Sequence, residues 1–233
     1  EKEACMPDTT LSPDRMDRLH ALRTKVLVEA DITSVQNQSL IQNRREQICD
    51  AALSLFLEKG FAATTIRDIC ARSGVNQASI YDYIANKNDI LRRLLNQLWF
   101  REDALTLPVI LLDPSISLEA AFEKYFRESW TTKRDGTLLA YRSVPHMQAQ
   151  DRATLQAREF AVMKDLADQL VVRLGLNEDD QRLDIVANLI VFLSAFGPMR
   201  DWLNRDIPDD VILRTIAAGA AAMVRSLVPD EAI

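Results

Sequence analysis

Between Ile48 and Leu91 the apolar residues recur at helical spacing, and the pattern is cut three times by residues that start or stop a helix. From Arg44, the residues Ile48, Ala51, Ala52, Leu55 and Phe56 mark the buried stripe of a first helix of about four turns. Lys59-Gly60 closes it with a cation in the last turn and a glycine just beyond. Thr64-Thr65 supplies caps for a short second helix carrying Ile66, Ile69 and Cys70, and Ser73-Gly74 stops it, because glycine readily takes the positive φ of a sharp reversal. Asn76 is placed to cap a third helix, Gln77 to Ile84, and Ala85-Asn86 separates it from a fourth that Lys87 opens. Two short helices across a glycine turn, behind a longer support helix, have the geometry that lets the second short helix enter a DNA major groove. Outward positions of that helix carry Asn76, Gln77, Ser79, Tyr81 and Tyr83, groups that hydrogen-bond to base edges or phosphates, while Ile80 and Ile84 are free to face the support helix.

Three consecutive blocks carry a family likeness: Gly60-Phe-Ala-Ala-Thr-Thr-Ile-Arg-Asp-Ile69, Ser73-Gly-Val-Asn-Gln-Ala-Ser-Ile-Tyr-Asp-Tyr-Ile84 and Asn86-Lys-Asn-Asp-Ile-Leu91. Over roughly fifty contiguous residues, this segment resembles the DNA-binding domain of TetR-family regulators. The resemblance implies DNA contacts from Thr65, Asn76, Gln77, Ala78, Ser79, Tyr81, Tyr83 and Lys87, with Arg44, Arg45 and Arg67 adding phosphate contacts. Hydroxyls and amide N–H groups at helix N-termini suit phosphate oxygens, and Gln77 suits a base edge. The end of the third helix departs from the commonest family pattern, an aromatic pair followed by His and Phe. Here it reads Tyr81-Asp82-Tyr83-Ile84, and the Asp82 carboxylate either repels phosphate, accepts from a cytosine amino group, or simply faces solvent or caps a neighbour. Tyr81 has an ordinary alternative too, packing on the support helix.

The whole chain reads as all-α, since six glycines, eight prolines and few alternating Val/Thr-rich runs leave little for strands and tight turns. We divide it into an N-terminal extension (1–40) with one amphipathic helix, a helix-turn-helix domain (41–95), and a larger helical ligand-binding and dimerisation domain (96–233). In the extension, Ser12-Pro13 reads as a cap followed by proline at the first helical position. Met16, Leu19, Leu22 or Arg23, and Val26 follow at helical spacing, and the polar run 33–39 reads as a linker.

Net charge is −6, which by itself argues against a nucleic-acid partner, but the charge is uneven. Residues 41–99 hold eight Lys/Arg against six Asp/Glu, so the acidic excess lies elsewhere. Seven acids against five bases in residues 1–40 disfavour a DNA role for the extension.

Beyond residue 96, breaks are expected at 108–114, 133–136, 175–180 and 205–208. Trp99, Phe122, Phe126, Trp130, Tyr141, Phe160 and Met163 are bulky enough to line a cavity, although helically spaced aromatics also make ordinary core. The family builds its effector pocket among these helices, so the resemblance implies a small-molecule effector there. The run Leu139 to Met147 followed by a helix 151–174 looks like regulators of acyl-CoA thioesters or related lipophilic acids. Arg142, Arg152 or Arg158 would then meet the charged end of such a ligand, unless they pair with Asp151, Glu159 or Asp165. Helices 184–203 and 209–227 are the most apolar, with the small-residue run Ala217 to Ala222, and resemble the pair that forms the family's four-helix dimer interface. A homodimer on a palindromic operator is the expected assembly, because one headpiece contacts few phosphates.

Two other readings remain. An enzyme is disfavoured because His20 and His146, the only histidines, sit in no nucleophile, metal or phosphate-loop pattern. A helical interaction protein whose headpiece no longer reads DNA is compatible with the headpiece's small positive charge. No cofactor and no metal are expected. Cys5, Cys49 and Cys70 lack metal spacing and suit small core residues in a reducing, cytoplasmic setting, and no apolar run is long enough to span a bilayer.

Overall fold

The computed structural model describes residues 13–32, 37–100 and 106–228, and these are helical throughout their regular structure. They form two compact units. The first, the head unit, comprises 25–32, 37–100 and 132–156. The second comprises 13–24, 106–131 and 157–228.

The head unit is built on α2 (Gln38–Lys59), which is longer than its apolar stripe suggests. Asn37 caps it, accepting the Leu40 N–H at 3.1 Å, so the helix begins inside the expected linker. Residues 33–36 of that linker lie outside the described residues, as do Ser12 and Cys5. α3 (Ile66–Ser73) starts in a reciprocal capping box between Thr65 and Asp68 and stops at Gly74, whose φ of 72° is left-handed. α4 (Lys87–Leu98) is capped by Asn86, which accepts the Asp89 N–H at 3.0 Å. Ile48, Phe56, Ile69, Ile80, Ile84, Ile90 and Leu95 make the centre of this core.

Sequence reasoning placed everything after residue 96 in one domain, yet the head unit also takes α7 (Arg134–Ser143) and the first turns of α8 (Ala149–Leu174). Leu139, Ala140, Met147 and Leu155 complete its core. Gly136 was expected in a helix break, but it lies within α7. A Cβ there would sit 2.7 Å from the Leu98 carbonyl oxygen, so glycine is what allows α7 and α4 to approach.

The second unit contains α1 (Pro13–Arg23), α5 (Leu107–Leu111), α6 (Leu118–Thr132) up to Thr131, the rest of α8, α9 (Gln181–Leu193), α10 (Phe196–Asn204) and α11 (Asp209–Arg225). Phe122, Phe126, Leu170, Ala187, Ile190, Ala217 and Val224 fill its core. Two expectations change here. α1 ends at Arg23, leaving Val26 outside it and half exposed, and α5 occupies a stretch expected only to separate helices.

The expected continuous helix 184–203 is instead α9 and α10, bent by 53° at Ser194-Ala195. Pro198 has no N–H to give the Ser194 carbonyl and its ring crowds it. That carbonyl accepts the Trp130 indole N–H at 3.0 Å instead. The corner leaves no room at Gly197, where a Cβ would fall 2.4 Å from the Trp130 ring. Gly197→Ala is therefore expected to destabilise the chain by about 2 kcal/mol, as overpacking of a rigid core does. Calorimetry would show this as a lower melting temperature. Among the described residues no single helix is long and apolar enough to cross a membrane.

Candidate nucleic-acid interface

Asn76 to Ile84 does not form the α-helix expected from its cap and spacing. It is a tighter turn whose regular part is the 3-10 segment Ile80–Asp82, and we call it the recognition turn. The cause is local. The Asn76 side chain accepts the Ala78 N–H at 2.8 Å, and the Asn76 carbonyl accepts the Ser79 N–H at 3.1 Å, three residues on. That spends the cap on an Asx turn and sets i+3 bonding, which continues from Asp82 to Ser79 and from Tyr83 to Ile80. Ile80 and Ile84 are fully buried, as their spacing suggested, while Asn76, Gln77, Ala78 and Tyr81 are exposed. Ser79 and Tyr83 are half-buried, and Tyr83 packs on the head core.

The basic residues sort into two groups. Lys59 pairs with Asp68, Arg72 with Glu58, Arg92 with Asp151, and Arg93 with Asp89 and Glu29. Hydrogen bonds from Lys59 and then Thr65 hold the Asp68 carboxyl well below the usual carboxylate range, so that neutralisation persists into acid. The other four cations of the region are Arg44, Arg45, Arg67 and Lys87, and among the described residues none has a carboxylate at ion-pair distance. Arg44 meets the Gln47 amide at 2.9 Å, Arg45 donates through Nε to the Tyr83 carbonyl at 2.9 Å, and Arg67 is exposed on the first turn of α3. Lys87 donates to the carbonyls of Phe61 and Thr64, both at 2.8 Å, and lies 4.4 Å from the Phe61 ring centre. Burial lowers its pKa. These are the four cations that the motif assigns to phosphate contact, and their charge is not cancelled within the fold.

The fold thus joins Lys87 to the loop that opens at Thr65, and Arg45 to the end of the recognition turn. Thr65 itself is exposed, but its hydroxyl is engaged with Asp68. Cys49 and Cys70 are buried in the head core, and burial pushes the Cys49 thiol up to about 12, so it stays protonated and unreactive.

Residues singled out for ligand binding divide between the units. Trp99, Tyr141 and Arg142 belong to the head unit, where Trp99 packs near Phe100 and Tyr141 and Arg142 donates to the Leu57 carbonyl at 3.1 Å. Phe122, Phe126, Trp130, Phe160 and Met163 belong to the second unit. There Phe122 and Phe126 are fully buried, Met163 is partly so, and Phe160 is about half exposed. Arg152 donates to the Met147 carbonyl in the head unit, which leaves Arg158, buried on α8, as the one of the three arginines that shares a unit with the aromatic cluster. Of the three acids expected to pair with these arginines, Asp151 is bound by Arg92 and Asp165 by Arg23.

One polar constellation escaped sequence reasoning. Asp89, Arg93 and Asn96 lie on one stripe of α4 and bind the backbone of residues 27–30. The signal was present, since an acid and a base four apart interrupt the apolar face made by Ile90, Leu91, Leu94 and Leu95.

Residues 48–94 match the family model described as bacterial regulatory proteins, tetR family. The chain is 32% identical over 133 residues to the transcriptional regulator HbdR of Aromatoleum sp. (strain CIB), covering 54% of this chain and 55% of that one. It is 29% identical over 164 residues to the transcriptional repressor KstR2 of Rhodococcus jostii (strain RHA1), covering 68% and 75%. The chain thus spans about half the length of the first of these relatives. In fold it is similar to the MbdR regulator of Azoarcus sp. CIB, with a TM-score of 0.59 at 17% identity over 80% of this chain and 99% of that one. The capped helices around a left-handed glycine, the exposed recognition turn and these likenesses converge: residues 48–94 carry the DNA-binding segment described for the tetR family of bacterial regulatory proteins, and the chain is similar to regulators of that kind over a longer stretch.

Proposed function

We propose that this protein is a transcriptional repressor that binds a palindromic operator as a homodimer and releases it when a small lipophilic effector binds. The observation that carries the DNA reading is the sorting of charge in the head unit. Four cations are neutralised by carboxylates, and the four uncancelled ones share the head unit with an exposed turn bearing Gln77 and Tyr81, to whose Tyr83 carbonyl Arg45 donates. Phosphate contacts from Arg44, Arg45, Arg67 and Lys87, with the Tyr83 hydroxyl and the Asn76 side-chain amide, would set register, while the donors of Thr65, Ser79 and Ala78 are spent within the fold. Gln77 and Tyr81 would read bases.

Dimerisation is supported by apolar side chains left in solvent on the last helices, Ile185 and Leu189 of α9 and Val211 of α11 among them. The effector site we assign to the second unit, among Phe126, Trp130 and Met163 with Phe122 behind them. Buried Arg158 suits an acid or thioester end of an otherwise greasy ligand.

Fluorescence anisotropy with DNA from upstream of the protein's own gene tests the reading. Gln77→Ala and Tyr81→Ala should each weaken specific binding about tenfold or more, the range for loss of a base contact. Arg67→Ala should weaken all sequences alike and reduce the salt slope by about one. Binding that is insensitive to salt and to sequence would exclude the repressor.

A further inference from the structure

Residues 25–32 have no regular secondary structure, yet they belong to the head unit and are tied to α4 at every turn. Leu27 is buried in the core, and the Asn96 side chain pairs with its backbone in both senses, accepting the N–H at 2.9 Å and donating to the carbonyl at 3.0 Å. Arg93 donates to Glu29 at 2.6 Å and to the Ala30 carbonyl at 2.7 Å. Asp89 then joins this strap to the recognition turn. Its Oδ1 accepts the Ala30 N–H at 2.8 Å, and its Oδ2 accepts the N–H of Ala85, the residue after Ile84, at 3.1 Å. One fully buried carboxylate therefore fixes the strap on one side and the exit of the recognition turn on the other.

The strap continues directly into α1 at Thr24, and α1 belongs to the second unit. Its attachment there is polar. No residue of 14–23 is fully buried, but Arg15 pairs with Asp168 at 2.6 Å and Arg23 pairs with Asp165, both on α8. Asp168 is almost completely enclosed, and its second oxygen has no hydrogen-bond partner in the described structure. Arg15 is thus what makes enclosure of Asp168 tolerable, and Arg23 compensates the partly buried Asp165 beside it.

We propose that residues 13–32 form a coupling arm, in which the α1–α8 ion pairs hold the strap on α4 and the strap, through Asp89, sets the recognition turn. The functional consequence rests on the reading that this turn contacts DNA, but the coupling itself does not. A change in α8 that loosens Asp165 and Asp168 from α1 then reaches the turn along the arm.

The test is amide hydrogen exchange followed by mass spectrometry on the full chain carrying Arg15→Gln and Arg23→Gln. Peptides covering 25–32 and 80–86 should both exchange about tenfold faster, while peptides of α9 and α11 keep their protection. The lysine versions, Arg15→Lys with Arg23→Lys, should restore most of it. A second variant, Ala30→Pro, removes the N–H that Asp89 accepts and should loosen 80–86 while leaving α1 protected. Faster exchange at 25–32 with 80–86 unchanged, or no change at 25–32, overturns the arm. Absence of operator binding by the unaltered chain overturns the DNA reading and leaves the exchange result to decide the coupling.

Discussion

Asp89→Ala is expected to destabilise the head unit by about 3 to 5 kcal/mol, the range for stripping one partner from a buried ion pair. The Arg93 guanidinium would stay enclosed with the partly exposed Glu29 and the Ala30 carbonyl, and two backbone N–H groups, of Ala30 and Ala85, would lose their acceptor together. Each such orphaned group costs about 1 to 3 kcal/mol where water cannot reach it. Asp89→Asn keeps one acceptor oxygen and turns the other position into a donor facing a donor, so it should fall between the two. Urea unfolding followed in the far ultraviolet gives the stability, and DNA binding should fail at concentrations of denaturant that leave the second unit folded. An Asp89→Ala chain as stable as the unaltered one would show that the strap and turn are not held by this carboxylate.

The second large effect is expected from Ile185→Lys combined with Leu189→Lys. The two side chains lie one turn apart on α9 and are 61% and 45% exposed, so they contribute to the core only modestly and the fold should survive. If the α9 and α11 faces join two copies, four charges are placed in one apolar seam, where desolvating them without partners is prohibitive. Sedimentation should report a monomer. Operator affinity should fall at least about a hundredfold, since a single head holds only about half the phosphate contacts and binding loses salt slope with each one removed. A dimer of undiminished affinity would move the interface elsewhere.

The head was readable because its information is local. Thr65, Gly74 and Asn86 act within a few residues of themselves, and each does what its position in the sequence implied. The recognition turn shows where local reasoning stops short. Asn76 is equally suited to capping an α-helix and to closing an Asx turn, so its place in the sequence does not tell the two apart; here it closes the Asx turn. Long-range features were less accessible. The place of α7 in the head unit depends on Gly136 meeting Leu98, and the carbonyl that Pro198 frees at the α9–α10 bend is satisfied by Trp130, pairs separated by 38 and 64 residues that no periodicity encodes. The aromatics of the second half were correctly seen as bulky, but composition alone does not distinguish the fully enclosed Phe122 from the half-exposed Phe160.

The short recognition turn also bears on how such a regulator diversifies. Its backbone is held by Ile80 and Ile84 from beneath and by Arg45 and Asp89 at its exit, whereas Gln77, Ala78 and Tyr81 stand clear of the core. Those three positions form an almost separate alphabet: they can be exchanged with little penalty to folding, and on the proposed reading few substitutions there would open new operators. A library randomised there, with the four anchors kept, should yield a high proportion of folded proteins with altered target preference.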